Sequence, residues 1–149
     1  MTRCFTFHMP SQVRFCCGLF RRLATLAFPG SRALIVTGGN AIHTYGLLSL
    51  LQSQLQEKHI SAIVWDKARQ LVSLPSVAEA AALARSENCD FIIALGGGSC
   101  MNAGRAVAFM VPQEGELLSY TQEGGRHPSA SPCPSSASRR RRRGCRFCP

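Results

Sequence analysis

Acidic side chains are scarce in this 149-residue sequence: eight Asp and Glu stand against seventeen Lys and Arg, and none precedes Glu57. No apolar run approaches the ~20 residues a membrane-spanning helix needs. The most apolar stretches, Leu47–Leu51 and Phe91–Leu95, suit buried elements. A Gly-Lys-Ser/Thr phosphate loop and a G-x-G-x-x-G fingerprint are both absent, which excludes the two commonest glycine-rich nucleotide signatures. His8, His43, His59 and His127 are scattered and make no metal constellation. Cys145 and Cys148 have zinc-ligand spacing, but no second Cys-x-x-Cys pair completes a site.

The excess of positive charge sits mostly in one place. Residues 1–120 carry ten basic and seven acidic side chains, a net +3, whereas residues 121–149 carry seven and one, a net +6. The body is close to neutral, so a general nucleic-acid surface is not expected. The Arg139–Arg143 run has no aromatic platform beside it, and nucleic-acid association through this tail ranks below the other readings. The eight cysteines include adjacent Cys16 and Cys17, Cys89 and Cys100 flanking an apolar strand, and Cys133 in the tail. They read as reduced thiols rather than a disulfide scaffold. Arg3, Arg14, Arg21 and Arg22 on an acid-free start resemble a mitochondrial transit peptide. A cytoplasmic protein whose domain begins here is the preferred alternative.

Phe5, Phe7, Val13 and Phe15 alternate with polar residues, which predicts two short strands around Pro10, and Gly18–Ala27 predicts a short helix. Ala33–Thr37 is a continuous β-branched run, as expected of a strand buried on both faces. Tyr45, Leu48, Leu51 and Leu55 mark one face of a helix over 42–58. Ser61–Trp65 reads as a second strand and Ser76–Arg85 as a second helix. Ser76 and Glu79 have capping-box spacing at its start. Phe91–Leu95 is a third strand, followed by a helix over 101–110. Strands alternating with helices predict an α/β fold with a Rossmann-like parallel sheet.

The candidate site is the junction Leu95–Asn102, where a buried strand runs into Gly96, Gly97, Gly98 and Ser99 and then a helix. Glycines admit positive φ and let an anion approach the main chain. The N–H groups at the helix start, with the positive end of its dipole, suit a phosphate, and Ser99 can add a hydroxyl bond. A simple tight turn is the competing reading. Gly38 and Gly39 end the first strand, where such sheets meet the adenosine ribose and an acidic residue would favour NAD. A glycine at 38 would leave a 2′-phosphate unrepelled. A plain loop is again the alternative.

Several stretches resemble iron-containing (group III) alcohol dehydrogenases. These are Phe7-His-Met-Pro10 with Val13-Arg-Phe15, Arg32–Gly38, Ala81–Arg85 with Cys89–Ser99, and Glu114–Tyr120. The resemblance is collinear over residues 5–126, and its Gly-Gly-Gly-Ser motif is shared with glycerol dehydrogenases and dehydroquinate synthases. It implies an NAD(P)-dependent oxidoreductase whose N-terminal domain binds the dinucleotide. A C-terminal helical domain would bind iron or zinc through one Asp and three His, and the substrate would be a small alcohol or aldehyde. Carried over by position, Gly96, Gly97, Gly98, Ser99 and Asn102 would lie at the pyrophosphate, with Gly38 and Gly39 beside the ribose.

Asn102 and Arg105 stand where the family has Asp and Lys, and Gln70–Ser73 replaces a Pro-Asn-Pro-Thr loop, which points to weakened cofactor binding. The expected organisation is a dinucleotide-binding domain over 1–126, with N-terminal strands at 5–20 and a β-α-β-α-β-α core at 32–110. A disordered Ser/Pro/Arg-rich tail over 127–149 would follow, with the composition of a frame or splice change near residue 127. The helical domain and metal ligands are absent from these residues, so no catalytic residue and no metal ligand is assigned, and the chain alone is expected to be inactive. It would then be a dinucleotide-binding fragment, with no membrane partner. Uncovering the face that normally closes the cleft would invite aggregation, and a homo-oligomer is a further partner to expect.

Overall fold

The computed structural model describes residues 14–39, 42, 44–68, 72–120 and 125–139. The strands expected around Phe5, Phe7 and Val13 lie outside these residues, as do His8, His43 and the Cys145–Cys148 pair. Phe15 is described and is not in a strand. It is 81% exposed and precedes a 3-10 helix at Leu19–Thr25, where the short helix was expected.

Four strands form one parallel sheet in the order β2-β1-β3-β4: β1 Arg32–Thr37, β2 Ser61–Trp65, β3 Phe91–Gly96 and β4 Ser135–Arg139. Three helices alternate with them: α1 Leu47–Glu57, α2 Leu74–Ser86 and α3 Gly98–Met110. Alternate residues of β1 feed opposite faces. Ala33 and Ile35 pack under α1 with Leu51, Leu55, Phe91 and Ile93. Leu34 and Val36 pack under α2 and α3 with Val77, Ala80, Ile92 and Val107. Two covered faces are why β1 and β3 read as unbroken apolar runs. The α3 helix lies close on β3, since a Cβ at Gly104 would come within 2.7 Å of the Ala94 methyl. That contact accounts for a glycine inside a helix.

Local chemistry moved two helix starts. Gly46, at φ 63°, is the N-cap of α1, so the helix begins later than its periodicity suggested. Tyr45 falls outside it, 51% exposed, while Leu48, Leu51 and Leu55 are buried as expected. The α2 cap is Ser73, not Ser76. Ser73 accepts from the Ser76 amide while Ser76 returns a bond to the Ser73 backbone, and Glu79 pairs with Lys67 instead. Pro75 in the first turn fits there because its missing N–H is not needed.

The expectation of a structureless segment from 127 fails for residues up to 139. Buried Gln113 accepts from the Ser129 amide at 2.9 Å and its hydroxyl at 3.1 Å, and donates to the Ala130 carbonyl at 2.6 Å. The Cys133 amide donates to the Ala108 carbonyl at 2.9 Å, and β4 then pairs with β3 from Ile92↔Ser135 to Gly96↔Arg139. The open edge of β3 presents backbone donors and acceptors that need partners. Those bonds are indifferent to side-chain periodicity, so a Ser-Ser-Ala-Ser stretch serves.

At the amino edge of the sheet, the Asp90 carboxylate gathers the start of β1. It accepts from the Ser31 amide at 2.7 Å, the Ser31 hydroxyl at 3.1 Å and the Arg32 amide at 2.9 Å. These bonds, the Ser31 amide foremost, hold the carboxyl below its ordinary value. A native pKa below the unfolded ~3.9 means the stabilisation is whole above about pH 4 and is lost as pH falls through the native value. Asp90→Ala is therefore expected to lower Tm at pH 7, and the gap to the parent chain should close on acidification below pH ~4. Thermal melts across pH 2–7 check this, and a gap independent of pH would refute it.

Candidate cofactor site

The order β2-β1-β3 reverses direction between β1 and β3, because the chain leaves β1 for β2 and then returns to β1's other side. Ligands of open α/β sheets bind beyond the carboxyl ends of strands at such a switch point. Here the ends of three strands are stitched together. The Thr37 hydroxyl donates to the Leu95 carbonyl at 3.0 Å, joining β1 to β3. The Ala68 amide donates to the Thr37 carbonyl at 3.0 Å, and Gly38 bridges Lys67 in antiparallel fashion, joining β1 to the segment after β2. The Cys100 thiol, buried in the first turn of α3, reaches the Ala68 carbonyl at 3.5 Å and the Gly38 carbonyl at 3.8 Å. Burial pushes that thiol's pKa up, so it stays a neutral donor.

The expected site glycines divide into two kinds. Gly38 and Gly96 are glycine for packing. A Cβ on Gly38 would lie 2.0 Å from the Ala68 carbonyl oxygen, and one on Gly96, whose φ is 152°, would lie 2.6 Å from the Cys100 sulfur. Gly97 and Gly98 are glycine toward the outside. Both are exposed, and nothing lies within 4 Å of where their Cβ atoms would stand. Gly39 is likewise open but adopts φ 93°.

Gly97 is the N-cap of α3, in extended conformation, and no side chain caps the helix there. Gly98, Ser99 and Cys100 form the first turn, one turn earlier than the expected helix start. The first N–H groups of an α-helix lie beyond the reach of its own carbonyls. Ser99 is half-buried, and Asn102 and Arg105 are exposed on the next turn. The structure thus brings Gly38, Gly96, Gly97, Gly98 and Ser99 to one sheet edge, with Asn102 one turn behind.

Sequence reasoning missed Cys100 and the Lys67–Ala68 segment. The signal available was a small apolar residue at the third helical position of a glycine-rich turn. Ser73, expected to replace part of a cofactor loop, spends its hydroxyl on the α2 cap. A hollow of about 470 Å³ around Gln56, His59 and Ile60 lies at the opposite end of the sheet. His59 and His127 stand apart, and among the described residues no three His, Cys, Asp or Glu side chains come together as a metal site.

A parallel α/β sheet with a glycine-lined helix start at its switch point has the layout in which open α/β sheets place a ligand beyond their strand ends. The chain belongs to the iron-containing alcohol dehydrogenase family, whose model matches residues 10–137. That span takes in eleven residues of the segment read above as foreign to the family.

Choline dehydrogenase of Bacillus subtilis (strain 168) is 28% identical over 130 residues, 86% of this chain and 32% of its own length. The 1,3-propanediol dehydrogenase of Citrobacter freundii is 32% identical over 93 residues, 61% of this chain and 24% of its own. Among solved structures, an iron-containing alcohol dehydrogenase superposes with a TM-score of 0.73 at 28% identity, covering 92% of this chain and 38% of that one. The NADH-dependent butanol dehydrogenase A of Thermotoga maritima superposes with a TM-score of 0.79 at 21% identity, covering 90% of this chain and 34% of that one. The chain spans about a third of the length of the first of these relatives. No described helix is long and apolar enough to cross a membrane.

Proposed function

We propose that this chain is the nicotinamide-dinucleotide-binding part of an alcohol dehydrogenase that interconverts a small alcohol and its aldehyde in the cytoplasm. The observation that carries the reading is the uncapped start of α3, where Gly97 and Gly98 leave the approach to the helix N–H groups clear. Those N–H groups would take the pyrophosphate, with Ser99 as a neighbouring hydroxyl and Asn102 one turn further on. Gly38 and Gly39 would border the adenosine ribose. When bound, the nicotinamide supplies the hydride acceptor or donor.

The protein's own share is binding and orientation. The Cys100, Thr37 and Ala68 bonds join the three strand ends that flank the proposed site, which supports a site shaped by the fold itself. The family's iron is a further expectation for the whole enzyme, but the described residues do not form a site for it.

Gly97→Val is the test. The extended backbone at Gly97 accepts a β-branched residue, while the new methyls fill the space a phosphate would enter. Titration of NADH and NADPH fluorescence should show affinity at least tenfold weaker, about 1.4 kcal/mol, with Tm nearly unchanged. Equal affinity for parent and variant would overturn the site. The chain by itself is expected to turn over no alcohol with added iron or zinc, and metal-dependent turnover would refute that.

A further inference from the structure

The strand-end position that recognises an unphosphorylated ribose through a carboxylate is closed in this protein. A side chain of any kind at Gly38 would collide with the Ala68 carbonyl, 2.0 Å from its Cβ. The segment that closes it is held by the Ala68 amide on Thr37 and by the Cys100 thiol on Ala68. That same segment sets Lys67 directly across the backbone bridge from Gly38. The bridge thus sets a basic residue beside the strand end from which a carboxylate is excluded. The Lys67 side chain is 62% exposed and its ammonium rests on Glu79, itself 50% exposed. An exposed pair of this sort is worth little and exchanges readily for a stronger acceptor. A phosphate monoester, with two charges and three acceptor oxygens, is such an acceptor.

We infer that Lys67 reads the adenosine 2′-position, so that the site takes the 2′-phosphorylated dinucleotide NADP(H) in preference to NAD(H). The inference rests on the dinucleotide reading above and adds the ligand class and the residue that selects it. Glu79 is the intramolecular competitor, occupying the ammonium until the phosphate displaces it. Asp66 is the neighbouring carboxylate that could compete for the same position, and it is tested alongside Lys67.

The full 149-residue chain is titrated with NADPH and with NADH, followed by nucleotide fluorescence, and the same is done for Lys67→Gln, Glu79→Gln and Asp66→Asn. NADPH is expected to bind the parent chain about tenfold tighter than NADH. Lys67→Gln should erase that preference by weakening NADPH alone, and Glu79→Gln should strengthen NADPH severalfold without moving NADH. Far-UV circular dichroism and Tm of each variant show that the fold is kept. Failure of both nucleotides to bind the parent chain overturns the dinucleotide reading itself. Binding of both, with a ratio that Lys67→Gln leaves alone, overturns the role of Lys67 and leaves the dinucleotide reading standing. So does NADH affinity that collapses in Asp66→Asn, since the ribose selector would then be the carboxylate.

Discussion

Gly38→Ala is expected to destabilise the chain by about 3 kcal/mol or more, at or beyond the upper end of what overpacking usually costs. The single methyl would meet backbone, not a side chain able to rotate away: the Ala68 carbonyl oxygen at 2.0 Å and its carbon at 2.4 Å. Ala68 is buried, its amide serves Thr37 and its carbonyl takes the Cys100 thiol, so retreat would break two bonds that join strand ends. Against a total stability of about 5–15 kcal/mol, such a loss is a large fraction. Gly39→Ala is the matched control. Its Cβ meets nothing within 4 Å, and only the left-handed backbone at φ 93° resists it, which costs about 1–2 kcal/mol. Urea midpoints of the two variants decide the matter. A Gly38→Ala chain as stable as Gly39→Ala would mean that the 66–68 segment is free to move, and the closed ribose position would fall with it.

Phe91→Ala is expected to cost about 3–5 kcal/mol, the range for removing a large aromatic ring from a core. Phe91 is fully buried at the start of β3, opposite Ala33 of β1, and its ring stacks on Phe28 with centroids 5.8 Å apart. The ring fills the space under α1 beside Ile35 and Leu55, and the segment around Phe28 rests on it. The residue before it, Asp90, gathers Ser31 and Arg32, so the cavity opens where β1 begins. The variant should unfold at a markedly lower urea concentration and with a broader transition. A shift equivalent to less than about 1 kcal/mol would show that this face of the sheet collapses onto the gap.

Much of the fold was legible in the residues. Ala33–Thr37 and Phe91–Leu95 are strands because short apolar runs suit burial on two faces, Ser61–Trp65 is the half-buried edge strand beside them, and each lies where its apolar run does. The glycine-to-helix junction was legible too, since it depends on neighbours within a few positions. The cap of α2 was misplaced by three residues because Ser73 and Ser76 both precede helical sequence, and only the geometry says which has extended backbone. The fourth strand was illegible for a different reason. Its partner bonds are backbone to backbone, and they leave no periodic mark on Ser135–Arg139.

The amino-acid order alone determined the alternating α/β pattern and the glycine-rich strand-to-helix turn at Gly96–Ser99, because burial period and glycine freedom act over a handful of residues. Only the tertiary structure decided which glycines face outward and which are forced by packing. Gly97 and Gly98 look outward, while Gly38 yields to Ala68, thirty positions away, and Gly96 to Cys100. The same holds for Lys67, an ordinary surface charge in the sequence, which a backbone bridge places opposite Gly38. Contacts between distant segments arise from the path of the chain across the sheet, and no local pattern records that path.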